Sequence, residues 1–236
     1  MIVVVDDDVS RMRSLRYALE DGGFVVAWFK MTYVGWGVYA QRYDANGSPI
    51  GSEFHVNTGT YDTGNLPTVT GLADGGFVLT WSTWGGGDTW MGVFGQRFAA
   101  DGSRVGAEFH VNTYTYGQQS TSSVTALDDG GFLVAWHSYG YANESPNGQD
   151  GSYSGIYAQR YGVDGQRIGG EFRINSTTLD HQWFPSVSTL SDGNVAVVWM
   201  SLNQDGSGQG VFGQIIAADG TPIGGEFAVN TVTAGS

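Results

Sequence analysis

The stretch DGGFVVAW at residues 21–28 returns as DGGFVLTW at 74–81, DGGFLVAW at 129–136 and DGNVAVVW at 192–199. Each copy joins an Asp-Gly turn, which asks for positive φ, to a run of β-branched and aromatic residues that suits a strand. Two further anchors keep the same order. A Gln stands at 41, 96, 159 and 214, and a Glu-Phe pair at 53–54, 108–109, 171–172 and 226–227. The repeat therefore spans roughly 50–60 residues, in the range of solenoid and propeller units. The unit boundaries fall near 21–66, 67–121, 122–184 and 185–236, inside a single domain 1–236 whose residues 1–20 form an irregular N-terminal segment.

Four strands can be read in each unit. In the second, PTVTGLA (67–73) turns at DGG (74–76) into FVLTW (77–81). After a variable loop, GVFGQRF (92–98) turns at Asp101-Gly102 into AEFHVNT (107–113). Asn-Gly or Asp-Gly at 46–47, 101–102, 164–165 and 219–220 is the strongest short hairpin signal. At the start of the chain, Met12, Leu15 and Leu19 lie at helical spacing. This favours Ile2–Val5 as the innermost strand of the first unit, with an inserted helix, over a strand at 14–20.

The second strand carries two different faces. Phe24/Val26/Trp28, Phe77/Leu79/Trp81 and Phe132/Val134/Trp136 are large, while Val25/Ala27, Val78/Thr80 and Leu133/Ala135 are small. Both faces are largely apolar, whereas a sheet with one solvated face alternates apolar with polar. Each sheet is thus expected to be covered on both sides, a large face meeting its neighbour's small face. The fold class this implies is all-β: a four-bladed β-propeller of four-stranded antiparallel blades, closed into a ring. The rival is an open array of stacked sheets, which needs polar caps at its ends. The final strand, EFAVNTVTAGS, shows no such cap.

Charge narrows the partners. Ten Lys+Arg face 23 Asp+Glu, for a formal net charge of −13, and Lys30 is the sole lysine. That disfavours nucleic acid and anionic membrane surfaces. Cysteine is absent, which removes disulfides and thiolate metal sites. No apolar run is long enough to insert in a membrane as a helix. The N-terminus has no signal-peptide pattern, so secretion would use another route.

As a set, DGGFVVAW, QDGS, GIYAQRY, DG and IGGEFRIN resemble a repeat of very large secreted bacterial proteins, often associated with RTX-type calcium-binding repeats and type I export. The resemblance runs over 21–231 and implies an extracellular or cell-surface module, with no particular activity. The RTX nonapeptide itself is missing from this chain. The opening MIVVVDDDVSRMRSLRYALEDGGF resembles the start of a response-regulator receiver domain, with Asp6 and Asp7 matching its magnesium-binding acids. No phosphoacceptor Asp follows at the proper distance.

Repeated charges read as scaffold. Arg42 with Glu53, Arg97 with Glu108 and Arg160 with Glu171 are expected as cross-strand ion pairs that set register, and Ile215 breaks the series opposite Glu226. Asn57, Asn112, Asn175 and Asn230 end the outer strands as turn residues. Asp150 and Asp205 sit in similar Gly/Ser-rich loops and are the candidate metal residues, calcium being the ion suited to their oxygens. His55 and His110 occupy equivalent positions in separate units, and neither H-E-x-x-H nor a Ser-His-Asp order occurs.

What varies between units is the aromatic content of the loops at one end. Trp84 and Trp90 mark the second unit, Tyr139 and Tyr141 the third, and His181 and Trp183 the connection to the fourth. Asn143 and Asp180 lie among them as partners for hydroxyls. Rings beside amides and carboxylates suit sugars, whose C–H faces stack. The expectation is a non-enzymatic, secreted or cell-surface module that binds a glycan, with a purely structural repeat as the alternative.

Overall fold

The hairpin turns set the frame of each sheet. Gly47, Gly102, Gly165 and Gly220 take φ of 84°, 86°, 77° and 92°, which only glycine adopts without strain. Beside the first of them, Asp44 Oδ1 accepts the N–H groups of Asn46 and Ser48 at 2.9 and 2.7 Å. The computed structural model describes residues 15–18, 22–32, 35–59, 65–140, 148–206 and 208–231, and within them the secondary structure is all strand.

Each unit supplies one antiparallel meander. The first comprises β1 (Leu15–Ala18), β2 (Phe24–Thr32), β3 (Gly35–Tyr43) and β4 (Pro49–His55). The second comprises β5 (Asn65–Gly71), β6 (Phe77–Trp84), β7 (Met91–Phe98) and β8 (Arg104–His110). The third comprises β9 (Gln118–Ala126), β10 (Phe132–Tyr139), β11 (Ser154–Tyr161) and β12 (Arg167–Arg173). The fourth comprises β13 (Gln182–Thr189), β14 (Val195–Leu202), β15 (Gln209–Ile216) and β16 (Pro222–Ala228).

The innermost strand of the first sheet corrects the reading of the N-terminus. Leu15–Ala18 pairs with Phe24–Ala27, so this stretch is a strand and not a helix. A neighbouring strand with a free edge outweighs the local 3.6-residue spacing of three apolar residues. Ile2–Val5 lies outside the described residues.

Three apolar clusters fill the spaces between consecutive sheets, and all have one design. Val25, Ala27, Val38, Ala40 and Val56 of the first sheet meet Phe77, Leu79, Trp81, Phe94 and Phe98 of the second. Leu72, Val78, Val93 and Val111 of the second meet Phe132, Val134, Trp136, Tyr157 and Tyr161 of the third. Leu133, Ala135, Ile156, Ala158 and Ile174 of the third meet Val195, Val197, Trp199, Phe212 and Ile216 of the fourth. A small face always receives the next sheet's large face, as the alternation in the sequence requires.

The two ends are filled differently. Among the described residues no equivalent cluster joins the fourth sheet to the first. Trp81, Trp136 and Trp199 are buried, but Trp28 is only half-buried. Among the described residues the sheets follow one another in an open series.

The repeated charges do not form the expected Arg–Glu pairs; they bond to neighbouring sheets and to other charges of their own sheet. A bulge between Ala40 and Arg42 pairs Arg42 with Ile50 and removes the expected alignment with Glu53. Arg42 Nη1 donates to Ala100 O at 2.6 Å, and Arg97 Nη1 to Val163 O at 2.7 Å, each on the next sheet's turn. Glu108 accepts the Thr58 N–H and Glu171 the Thr113 N–H, at 2.7 and 2.6 Å, on the preceding sheet's exit. Arg97 and Arg160 also meet Asp74 and Asp129, while Glu53 pairs with Lys30.

Polar scaffold residues close the strand ends. Asn57, Asn112 and Asn175 accept the N–H groups of Val38, Val93 and Ile156 through Oδ1 at 2.7–2.8 Å and are buried. The repeated Gln bridges each bulge; Gln159 Nε2 donates to Arg160 O at 2.9 Å. Replacing Asn175 by Ala should strand a buried N–H and lower stability by about 1–3 kcal/mol in urea unfolding. An unchanged midpoint would show that water replaces the amide.

Candidate functional site

Cross-strand pairing gathers the variable loops at one end of the sheets. Met91 pairs in parallel with Gln118, Gln118 with Tyr139, Tyr139 with Ser154, and Ser154 in parallel with His181. This line of backbone contacts runs from the Trp90 loop to the entry of β13.

Around its far end stands an aromatic and imidazole cluster. The His181 ring stacks on Tyr139 with centroids 5.7 Å apart and planes at 12°. Tyr153 lies tilted at 4.8 Å, and Trp183 meets it edge-on at 5.1 Å. Ser154 Oγ is 3.4 Å from His181 Nδ1. Tyr139, His181 and Trp183 are half-buried and Tyr153 is exposed, so the cluster is open to solvent. Burial lowers the His181 pKa, while Asp180 opposes that shift. Asp180 Oδ2 accepts Asn203 Nδ2 at 3.1 Å, and both residues sit at positive φ, 60° and 59°. Asp and Asn are the non-glycine residues that adopt this backbone most readily.

Beneath the cluster lies His137, on β10. Ser120 Oγ is 3.0 Å from its Nε2, and Thr121 Oγ1 meets its Nδ1. Phe184 closes over it edge-on at 6.1 Å. Burial drives the His137 pKa down to about 4, with the nearby His181 adding to the effect. The imidazole is neutral at pH 7 and both its nitrogens face hydroxyls. Thr121 and Phe184 take φ of 51° and 57° at β-bulges, as does Leu66 at 55° on β5. The bulge therefore recurs in three inner strands and belongs to the scaffold. Only the third unit places a His against it.

The sequence-predicted residues divide between two places. Tyr139, His181, Trp183 and Asp180 come together. Trp84 and Trp90 form a separate exposed pair, edge to face at 5.7 Å, on the second sheet's loop. Tyr141 and Asn143 lie outside the described residues. Tyr153, one of the non-repeating loop aromatics, joins them, while His137 and Phe184 complete the cluster and went unpredicted; the signal for His137 was its isolated occurrence where other units have Phe29, Ser82 and Met200.

Asp150 and Asp205 do not converge. They occupy equivalent loops of the third and fourth sheets, each carboxylate beside a strand-opening glycine. A Cβ on Gly155 would lie 2.8 Å from Asp150 Oδ2, and one on Gly210 2.9 Å from Asp205 Oδ2. Asp150 Oδ1 accepts the Ser152 N–H at 3.0 Å, which is turn chemistry. The second unit has the same device: Asp88 lies beside Gly92, with Oδ2 2.7 Å from His110 Nε2 and Oδ1 accepting Asn112 Nδ2 at 2.7 Å. Among the described residues no three His, Asp or Glu are grouped to hold a metal ion. Recurrence in three sheets gives these acids a place in the scaffold.

No family model and no curated protein matches the chain in sequence. Solved structures do match in fold. An endo-arabinase from Bacteroides thetaiotaomicron superposes with a TM-score of 0.54 at 13% identity, over 98% of this chain and 80% of its own. A thermostable family-43 glycoside hydrolase gives 0.51 at 10% identity, over 94% and 76%. The polysaccharide lyase Uly1 gives 0.53 at 10% identity, over 96% of this chain but 51% of its own length. These are propeller-like folds, and at such identity the likeness is one of fold. They overturn the expectation that the protein is not an enzyme. That expectation rested on missing motifs, and the architecture proves to be shared with proteins named for cleaving glycans.

Proposed function

We propose that the protein acts on carbohydrate, binding a glycan chain at the sheet end formed by Tyr139, Tyr153, His181 and Trp183, on a propeller-like scaffold of four blades. The observation that carries this reading is the solvent-open cluster of three aromatic rings around a stacked imidazole. Such rings offer flat faces to sugar C–H groups, and Asp180, Asn203 and the half-buried His181 supply hydroxyl partners. The neighbours' names, which refer to arabinan- and polysaccharide-cleaving activities, support the same substrate class. A net charge of −13 favours neutral over anionic polysaccharides. An extracellular or cell-surface setting accompanies the proposal, supported by the resemblance to repeats of secreted proteins.

The test is titration calorimetry of the purified chain against arabinan, xylan and β-1,3-galactan oligosaccharides, with parallel measurement of released reducing ends. Tyr139→Ala and Trp183→Ala should each weaken binding by roughly 1–3 kcal/mol, by analogy with base stacking on aromatic side chains, with Tm nearly unchanged. A large fall in Tm for both would place the rings in the core and end this assignment. For turnover, Asp180→Asn is the first variant to measure, since hydrolysis of a glycosidic bond draws on carboxylates.

A further inference from the structure

The three filled spaces between sheets identify what the two outer faces lack. In the fourth sheet, Leu190, Val211 and Val229 stand where the other sheets bury Leu72 and Leu127, then Val38, Val93 and Ile156, then Val56, Val111 and Ile174. Val229 is 49% exposed, against 0%, 0% and 5% at its counterparts. Leu190 and Val211 are exposed likewise. In the first sheet the opposite face is open. Val26, Trp28, Tyr39 and Tyr43 are half-buried, although their counterparts Leu79, Trp81, Phe94 and Phe98 are buried. One end presents a small aliphatic face and the other a large aromatic face, the two halves of an interface the chain builds three times internally.

We infer that a second copy of this chain covers each face: the molecules associate head to tail, the fourth sheet of one packing on the first sheet of the next. Complementary but different patches on one chain define a heterologous contact. Polar register agrees with this. Glu108, Glu171 and Glu226 accept backbone N–H groups at Thr58, Thr113 and Ser176, the exit of the preceding sheet. Glu53 is their counterpart, and the matching exit is Thr231 of the neighbouring copy. Two residues temper the contact. Ile215 stands where Arg42 and Arg97 bond the next sheet's turn, so that bond is missing. Lys30, over the Tyr39 ring at 5.2 Å, stands where Thr83, Ser138 and Ser201 are buried. The association is therefore weaker than the internal interfaces, and screening the net charge of −13 with salt strengthens it.

Sedimentation equilibrium of the unaltered chain at high salt, from micromolar to millimolar, reads this directly. The average mass should rise with concentration. Val229→Arg blocks the small face and Val26→Arg the large one, and each variant alone should stay monomeric. Mixed, they should form a dimer and nothing larger, because each retains the face the other needs; a symmetric contact cannot do this. Lys30→Thr should shift the association of the otherwise unaltered chain to lower concentration. A wild-type chain that remains monomeric throughout overturns the proposal, and monomers whose first and fourth sheets resist hydrogen exchange equally would show the faces meeting within one molecule as a closed ring.

Discussion

Trp136→Ala and Trp81→Ala should each lower the stability of the protein by about 3–5 kcal/mol, the cost of emptying a buried aromatic position. Trp28→Ala, the same substitution in the same motif, should cost less than about 2 kcal/mol. The difference follows from what lies across from each ring. Trp81 packs on Val25, Ala27 and Val38, and Trp136 on Val78 and Val93, in closed clusters. Trp28 lies along Tyr39 at 6.5 Å with its outer side half-open. Trp136 Nε1 has no hydrogen-bond partner among the described residues, so Trp136→Phe should recover most of the loss. Urea unfolding of the variants at low protein concentration is the measurement. Equal losses at Trp28 and Trp136 would mean that the first sheet's large face is covered in solution.

That contrast shows which parts of the fold could be read in the sequence. The alternation in Phe77-Val-Leu-Thr-Trp81 is local information, because side chains one residue apart must point to opposite faces. It therefore announces both the strand and its two contacts. Whether a first or last copy finds a partner is not local; Trp28 and Trp136 are written alike and differ only in what the fold places beside them. Arg42 illustrates a second limit. A single bulge redirected it from Glu53 to Ala100 O on another sheet, and no spacing rule signals a bulge that the Gln41 side chain caps. The candidate site divides in the same way. Tyr139 and Trp183 stood out as aromatics that do not repeat, whereas Asp88 was hidden because its loop, WGGGDTW, does not resemble the loops of Asp150 and Asp205 that it matches in space.

His137 supplies the second large effect, through pH. Its pKa is about 4 in the folded protein, against an ordinary value of 6.5, because burial disfavours the imidazolium and His181 adds repulsion when charged. The unfolded chain thus binds this proton more tightly than the folded one. The stabilising contribution of the neutral ring is complete above about pH 6.5 and is lost as pH falls toward about 4, reaching roughly 3 kcal/mol at a little over one kcal/mol per pH unit. Carboxylates titrate in the same window, so the informative quantity is the difference from a variant. His137→Gln keeps a polar group facing Ser120 Oγ and Thr121 Oγ1 but cannot titrate. His137→Met, taking the residue of the fourth unit, removes the polarity as well. Between pH 7 and pH 4 the unaltered protein should lose about 3 kcal/mol more than either variant, measured by urea unfolding at each pH. Parallel losses in all three proteins would show that His137 reaches water or is already charged, and that the neutral imidazole assigned to the floor of the glycan site is wrong.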